Sequence, residues 1–333
     1  MVLGDLRKRG SFLRKANKRW RESKQAYLAQ EAKNGDNSIR FYNWWNAPYE
    51  SLWLYRFVEN CGLLDNSSKQ LRFCSVFGQR EVLDFVSSDI KVFFSGENLH
   101  NPFRAKYADA LLCDPSCKLS LGFDYFENER YLRFPLWLTY VFEPSIEKKA
   151  ITQRCEQLRY PQGLENRQVF AALVARRDVL GVRARMYESL SSIGKIDCPS
   201  SILHNDDSLK QQYKDDKLAY LRNHVFNLCP ENTNSYGYVT EKVFEAIYAG
   251  CIPVYWGSYN NPEPKVLNHD AIIFWDFQDA GQSAVKQVAD LYSSPTRWHE
   301  FAAQPRLLPS AEEEVEHMMV DLHDRLKELI KYS

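Results

Sequence analysis

From Ser38 onward, short runs of apolar, β-branched and aromatic residues alternate with longer stretches whose apolar positions recur every three or four residues. The first pattern reads as buried strands and the second as amphipathic helices. Ile39–Trp45, Leu71–Phe77 and Lys91–Ser95 are predicted strands, with Ala108–Leu112 a candidate fourth. A polar stretch, Glu147–Asn166, contains Pro161 and Gly163 and reads as a boundary. Beyond it the pattern restarts, with strands at Gln168–Val174, Val225–Cys229, Cys251–Trp256 and Ala271–Phe277. Helices are predicted at Arg183–Ser192, Leu209–Asn223 (a charged surface helix), Glu241–Ala249 and around Ser283–Tyr292. Such alternation builds parallel sheets, so the expected fold class is α/β, with two sheet domains facing a cleft. Ligands of such folds sit at the carboxyl ends of the strands.

The two ends differ from this middle. Residues 1–33 carry Arg7, Lys8, Arg9, Arg14, Lys15, Lys18, Arg19, Arg21 and Lys24 against few acids. Leu6, Leu13, Trp20 and Tyr27 recur every seven residues, so a helix there has a basic face and a narrow apolar stripe. Three readings stand side by side: a helix on an anionic membrane surface, a helix packed on the body, or a frayed arm. At the other end, Ala311–Tyr332 places Val315, Met318, Met319, Leu322, Leu326 and Ile330 on one helical face and reads as a helix docked on the fold. The expected domains are a basic helical segment at 1–37, α/β domains at 38–160 and 161–310, and a C-terminal helix at 311–333.

Composition narrows the function classes. A chain of 333 residues can hold two cores, and a net charge of zero offers nothing to nucleic acid. Aromatics make up 14% of the residues, and such rings pack on the apolar faces of sugars as well as in cores. The eight cysteines are scattered without a CxxC pair, which argues against a zinc site. Cys113 and Cys117 flank a probable turn, where free thiols are favoured over a local disulfide. With no secretory signal and no apolar run long enough to span a bilayer, the expected location is cytoplasmic, possibly peripheral on the inner face of the membrane through residues 1–33.

The most informative stretch is Val225–Gly257, which reads as buried strand, polar loop, helix and second buried strand. Thr240 is the expected N-cap, leaving Glu241 and Lys242 in the first helical turn. A lysine there opposes the helix dipole, a misplacement that makes sense if it answers a phosphate. Glu231, Asn232 and Glu241 offer partners for hydroxyls. The residues thus suggest a nucleotide-sugar site, against the plainer alternative of a solvent-facing lysine.

The segment FNLCPENTNSYGYVTEKVFEAIYAGCIPVYWGS resembles the signature of the α-1,3/4-fucosyltransferases, glycosyltransferase family 10, which includes bacterial Lewis-antigen enzymes. VFFSGEN, FENERYLRFPLW and VARRDVLGVRARMYESL agree with it, and the first ninety residues add little. The resemblance implies a GT-B fold of two Rossmann-like domains, an acceptor-binding domain first and a GDP-fucose-binding domain second. It implies phosphate contacts from Lys242 and Arg183, ribose contacts from Glu241, and phosphate or fucose contacts from Asn232, with Tyr238 shaping the pocket. Glu97, in SGEN, becomes the general base. Arg185 rivals Arg183 if the register slips by two, and Asp124, Glu127 and His100 rival Glu97.

Inverting fucosyl transfer needs a base on the acceptor hydroxyl and positive charge on the departing GDP. The sequence has no Asp-x-Asp triplet, and two cations with a helix end suffice for the diphosphate, so no metal or cofactor beyond the donor is expected. The implied acceptor is O3 of N-acetylglucosamine or glucose in a lactosamine- or lactose-type oligosaccharide. Two other readings remain: a GT-B transferase for another nucleotide sugar, and a non-catalytic glycan-binding protein on the same fold.

Overall fold

The computed structural model describes residues 2–65, 67–87, 90–102, 104–107, 114–160 and 167–332, with side chains from Arg14 onward. The chain divides into two compact units. The first comprises Met1–Gly122, Phe126–Arg133 and Asp321–Ser333; the second comprises Phe123–Tyr125 and Phe134–Val320. The units interleave along the sequence, so the division is not one cut at residue 160.

The first unit is built on a five-stranded sheet, β1 (Ile39–Tyr42), β2 (Leu71–Cys74), β3 (Lys91–Phe94), β4 (Leu119–Gly122) and β5 (Tyr131–Arg133), parallel throughout and in sequence order. Strands β2, β3 and β4 are buried at every position, as parallel strands covered on both faces must be. The first three expected strands are present but shorter. Ala108–Leu112 lies outside the described residues, and the fourth and fifth strands fall where no strand was expected.

The second unit carries β6 (Val169–Ala172), β7 (Ile196–Asp197), β8 (His224–Pro230), β9 (Ile252–Trp256) and β10 (Ile273–Phe274). They pair in parallel in the order β10-β9-β8-β6-β7. β8 is central and buried at all seven positions. Its core joins Phe226, Leu228, Val254, Met186 and Trp275 with helical residues from both sides of the chain order.

Two expectations need correction. The polar stretch read as a boundary holds the helix Lys148–Arg159, because Ile151, Cys155 and Leu158 form a buried face at helical spacing. The charged helix expected at Leu209–Asn223 is two short ones, Ser208–Gln211 and Lys217–Leu221. Lys214 and Asp215 between them have φ of 50° and 66°, which no right-handed helix admits, and Asp216 caps the second through Ala219 N at 2.9 Å.

Helices at the two ends are attached by specific contacts. The helix Val2–Asn34 lays Tyr27 against Tyr42 and Phe85, with ring centroids 6.0 and 5.7 Å apart. Ser23 is fully buried, and Arg19 pairs with Glu81 at 2.6 Å. Asn34 imitates a neighbouring strand: its Nδ2 donates to Phe41 O at 3.1 Å and its Oδ1 accepts from Phe41 N at 2.8 Å. Of the three readings of the basic segment, the described part from Arg19 onward is a helix packed on its unit. Leu6 and Leu13 lie outside the described side chains. The helix Ala311–Tyr332 buries Val315, Met318, Met319, Leu322, Leu326 and Ile330, the face its spacing predicts. The seven described cysteines are free thiols, and Cys113 lies outside the described residues.

In the second unit Phe244 is buried and stacks on Trp137 at 4.4 Å, joining the helix after β8 to the helix Trp137–Val141. Phe244→Ala removes that stack and opens a cavity; a loss of about 3–5 kcal/mol in unfolding free energy is expected by urea denaturation.

Candidate active site

The loop Glu231–Thr240 leads from β8 into the helix Glu241–Tyr248, whose Val243, Phe244, Ala246 and Ile247 are buried against the sheet. Gly250, at φ +79°, ends the turn after it, where a side chain would be strained. The opening turn of this helix is therefore held rigidly at the carboxyl end of β8. Thr240 occupies the N-cap position, but its hydroxyl does not cap the helix. It turns instead to Glu231.

Glu231 is 1% exposed and is the anchor of the site. Its backbone N–H extends the β8–β9 ladder to Trp256 O at 2.8 Å. Its Oε1 accepts from Thr240 N at 2.7 Å, and Thr240 Oγ1 lies 3.0 and 2.8 Å from the two carboxylate oxygens. Lys242 Nζ donates to Glu231 Oε2 at 3.1 Å and to Thr240 Oγ1 at 2.7 Å, and lies 3.5 Å from Glu241 Oε1. Burial alone pushes the Lys242 pKa down, but Glu231 and Glu241 outweigh it and keep the ammonium firmly protonated. Glu241 mirrors this: burial favours its neutral form, yet Lys242 and Lys217 hold its carboxyl below the usual range. Gly257, at the end of β9, has φ +147°, and a β-carbon there would stand 2.7 Å from Glu231 Cγ. Only glycine leaves room for the buried carboxylate.

Arg183 begins the helix Val182–Leu190, preceded by Gly181 at φ +69°. Asp178 takes the place of the cap, accepting from Arg183 N at 3.2 Å and Ala184 N at 2.8 Å. The guanidinium is buried, and burial lowers its pKa despite Asp178 and Glu231 nearby. It donates to Arg177 O at 2.6 Å, Pro230 O at 3.4 Å and Asn232 Oδ1 at 3.0 Å. These acceptors are neutral, and among the described residues no carboxylate ion-pairs with it. Asn232 Nδ2 reaches Tyr238 Oη at 3.5 Å, and the buried Tyr238 ring packs on Phe123 at 5.1 Å. Arg185 points elsewhere, over the Phe277 ring at 5.1 Å, so Arg183 is the arginine that reaches the loop.

Five of the six expected site residues thus form one cluster. Arg183 and Lys242 line a shared pocket with Leu173–Ala175 and Pro230, at the carboxyl ends of β6 and β8. Lys217 lines it too and was not foreseen, because its segment reads as a solvated helix. It pairs with Glu245 at 2.5 Å. Glu231, read from the sequence as a partner for ligand hydroxyls, is instead 1% exposed with its carboxylate taken up by Thr240 and Lys242, a role that only its burial reveals. The sixth residue, Glu97, belongs to the first unit, half-buried on the loop after β3. Its backbone N–H donates to Ser95 Oγ at 3.2 Å, and Ser95 Oγ donates to Glu97 O at 2.9 Å, which closes the turn. Among the described residues, no three His, Cys, Asp or Glu side chains group to hold a metal ion.

Lys217, Lys242 and Arg183 thus meet at one strand end, the first two ion-paired with Glu245, Glu231 and Glu241 and the third hydrogen-bonded through its guanidinium to neutral acceptors. Removing Glu231 would leave Lys242 without its buried partner. Glu231→Ala is expected to lower stability by about 3 kcal/mol in urea unfolding, and Glu231→Gln by less, since the amide keeps an acceptor for Thr240.

Comparison with known proteins matches two successive stretches of the chain. The family model for the N-terminal domain of α-(1,3)-fucosyltransferase FucT matches residues 39–140. The model for the C-terminal part of glycosyltransferase family 10 (fucosyltransferase) matches residues 164–327. An α-(1,3)-fucosyltransferase FucT of Helicobacter pylori is 28% identical over 282 residues, 73% of this chain and 55% of the relative. A putative fucosyltransferase-like protein of Arabidopsis thaliana is 35% identical over 135 residues, 40% of this chain and 25% of the relative. The chain therefore spans about half the length of the bacterial relative and a quarter of the plant one. A crystal structure of α1,3-fucosyltransferase with GDP-fucose superposes with a TM-score of 0.56 at 21% identity, covering 86% of this chain and 89% of that one. Another α1,3-fucosyltransferase structure gives 0.58 at 20% identity, covering 87% and 89%. These likenesses show a GT-B fold, as the family resemblance implied. With both family models matched over most of its length, the chain belongs to glycosyltransferase family 10, the α-(1,3)-fucosyltransferase family.

Proposed function

We propose that this chain transfers L-fucose from GDP-fucose, with inversion, to O3 of N-acetylglucosamine or glucose in a lactosamine- or lactose-type oligosaccharide. The observation that carries the reading is Arg183, buried with neutral acceptors only and lining the same pocket as Lys242. A buried guanidinium that no carboxylate ion-pairs, although Asp178 and Glu231 stand nearby, is costly in the empty protein and becomes favourable when a ligand brings negative charge. A diphosphate does so. In this reading Lys242 and Arg183 hold the GDP phosphates, Glu241 takes the ribose hydroxyls, and Asn232 and Tyr238 contact the phosphate or fucose side.

The chemistry is a displacement at the anomeric carbon. Glu97 takes the proton of the acceptor hydroxyl as its oxygen bonds to that carbon, while the bond to GDP breaks and its electron pair goes to the β-phosphate oxygen. Arg183, Lys242 and the helix start stabilise the growing charge most in the transition state. Lys242 comes to this task already charged, because Glu231 and Glu241 keep it so. Arg183, which no described carboxylate ion-pairs, adds the field that supports transfer without a metal ion.

The test is mass spectrometry of products from GDP-fucose and a panel of disaccharides, with and without EDTA. Fucosylated lactosamine or lactose is expected in both, and loss of product under EDTA with recovery on manganese would refute metal independence. GDP should stabilise the protein against heat more than UDP or ADP. Arg183→Ala and Lys242→Ala should each lower kcat on the order of 10²-fold. Glu97→Ala should abolish transfer while GDP binding persists; full activity in that variant would remove Glu97 from the role.

Peripheral contact with an anionic membrane also belongs to this proposal. Arg14, Lys15, Lys18, Arg19, Arg21 and Lys24 are exposed on the N-terminal helix, so its basic face is available although Tyr27 is committed to the body. No helix among the described residues is long and apolar enough to cross a membrane. Co-sedimentation with phosphatidylserine vesicles should fall when Lys15, Lys18 and Arg21 are changed to Glu, and unchanged co-sedimentation would discard the contact.

A further inference from the structure

Two aromatic pairs stand one above the other on the second unit. Phe123 and Tyr238 form the inner pair, 5.1 Å apart and 3% and 1% exposed. Tyr125 and Tyr236 form the outer pair, 5.0 Å apart and tilted by 34°, yet 46% and 48% exposed. The two segments meet residue for residue: 123 with 238, 125 with 236. Gly237, at φ +77°, permits this approach, since a β-carbon would lie 2.7 Å from Phe123 O and 3.1 Å from the Tyr125 ring. The inner pair adjoins Asn232, whose Nδ2 lies 3.5 Å from Tyr238 Oη. The outer pair leaves about half of each residue in solvent.

A strained turn braces the same loop. Ser258, Tyr259 and Asn260 have φ of 49°, 50° and 56°, three successive L-residues in the left-handed region. Asn234 Oδ1 accepts from Tyr259 N at 2.6 Å, and Ser258 Oγ accepts from Gly237 N at 3.1 Å. These bonds hold the loop from below and leave the Tyr259 ring 66% exposed beside it. The segments 232–240 and 257–261 contain only neutral residues, rich in amides and hydroxyls, and Asp124 is the one charge on 123–125. Exposed rings framed by neutral hydrogen-bonding groups suit an uncharged polyol with an apolar face. A pyranose ring is such a ligand; a nucleotide or an acidic peptide is not.

We propose that the Tyr125–Tyr236 pair is the acceptor subsite of the second unit, a platform on which one pyranose ring of the neutral oligosaccharide stacks. The proposal rests on the transferase reading for the word acceptor, and its test separates the two. Saturation-transfer NMR on N-acetyllactosamine should show saccharide protons in contact with the wild-type protein. The contact should vanish in Tyr125→Ala/Tyr236→Ala and remain in Tyr125→Phe/Tyr236→Phe. In transfer assays the alanine pair should raise the acceptor KM about tenfold, with GDP affinity within about twofold of wild type. Retained GDP affinity also shows that the loop still folds. Saccharide contact undiminished in the alanine pair overturns the platform. Absence of GDP binding in the wild type would instead overturn the donor reading and leave the saccharide result to decide the platform by itself.

Discussion

A carboxylate with 1% exposure at the end of the central strand organises the second unit. Glu231 takes its backbone place in the β8–β9 ladder, while its side chain collects the Thr240 amide, the Thr240 hydroxyl and the Lys242 ammonium. Burying such a charge is tolerable only with this full set of partners. The loop between Glu231 and Thr240 is therefore closed at its neck, and the helix after it starts at one place. Gly257 follows from the same constraint, because a side chain there would occupy the space of the carboxylate.

The consequence is a division of labour between two cations. Lys242 is neutralised in place by acids and so stays charged without depending on a ligand. Arg183 is held by carbonyl and amide oxygens, which orient the guanidinium without cancelling its charge. One supplies stability and the other supplies field. A cluster assembled in this way keeps its shape, because neither cation needs a further partner to fix its position.

The same economy appears in the loop above. Residues 232–238 meet Arg183 through Asn232, bury Tyr238 and turn Tyr236 to the outer surface. The left-handed turn at 258–260 is unfavourable by itself and is offset by two side-chain hydrogen bonds to the loop. Strain spent there makes sense where a surface must hold a fixed relief.

The amino-acid sequence by itself determined the strands and the helix of the motif, because apolar runs and a 3.6-residue period are local properties that burial enforces wherever the segment lies. The C-terminal helix face was legible for the same reason, whereas Arg183, Asn232, Tyr238, Glu241 and Lys242 were named through the family resemblance, with Arg185 left as a rival to Arg183. What only the tertiary structure decided concerns partners distant in the chain. Glu231 as anchor, Lys217 as third cation and the choice of Arg183 over Arg185 depend on which side chains meet across strands. Polar patterning misled at Lys148–Arg159, where a narrow buried face makes a helix of a seeming linker, and at Lys214–Asp215, where backbone strain interrupts a periodic one. Periodicity reports the environment each residue needs, whereas a site is defined by which neighbours supply it, and that information enters only when the chain closes on itself.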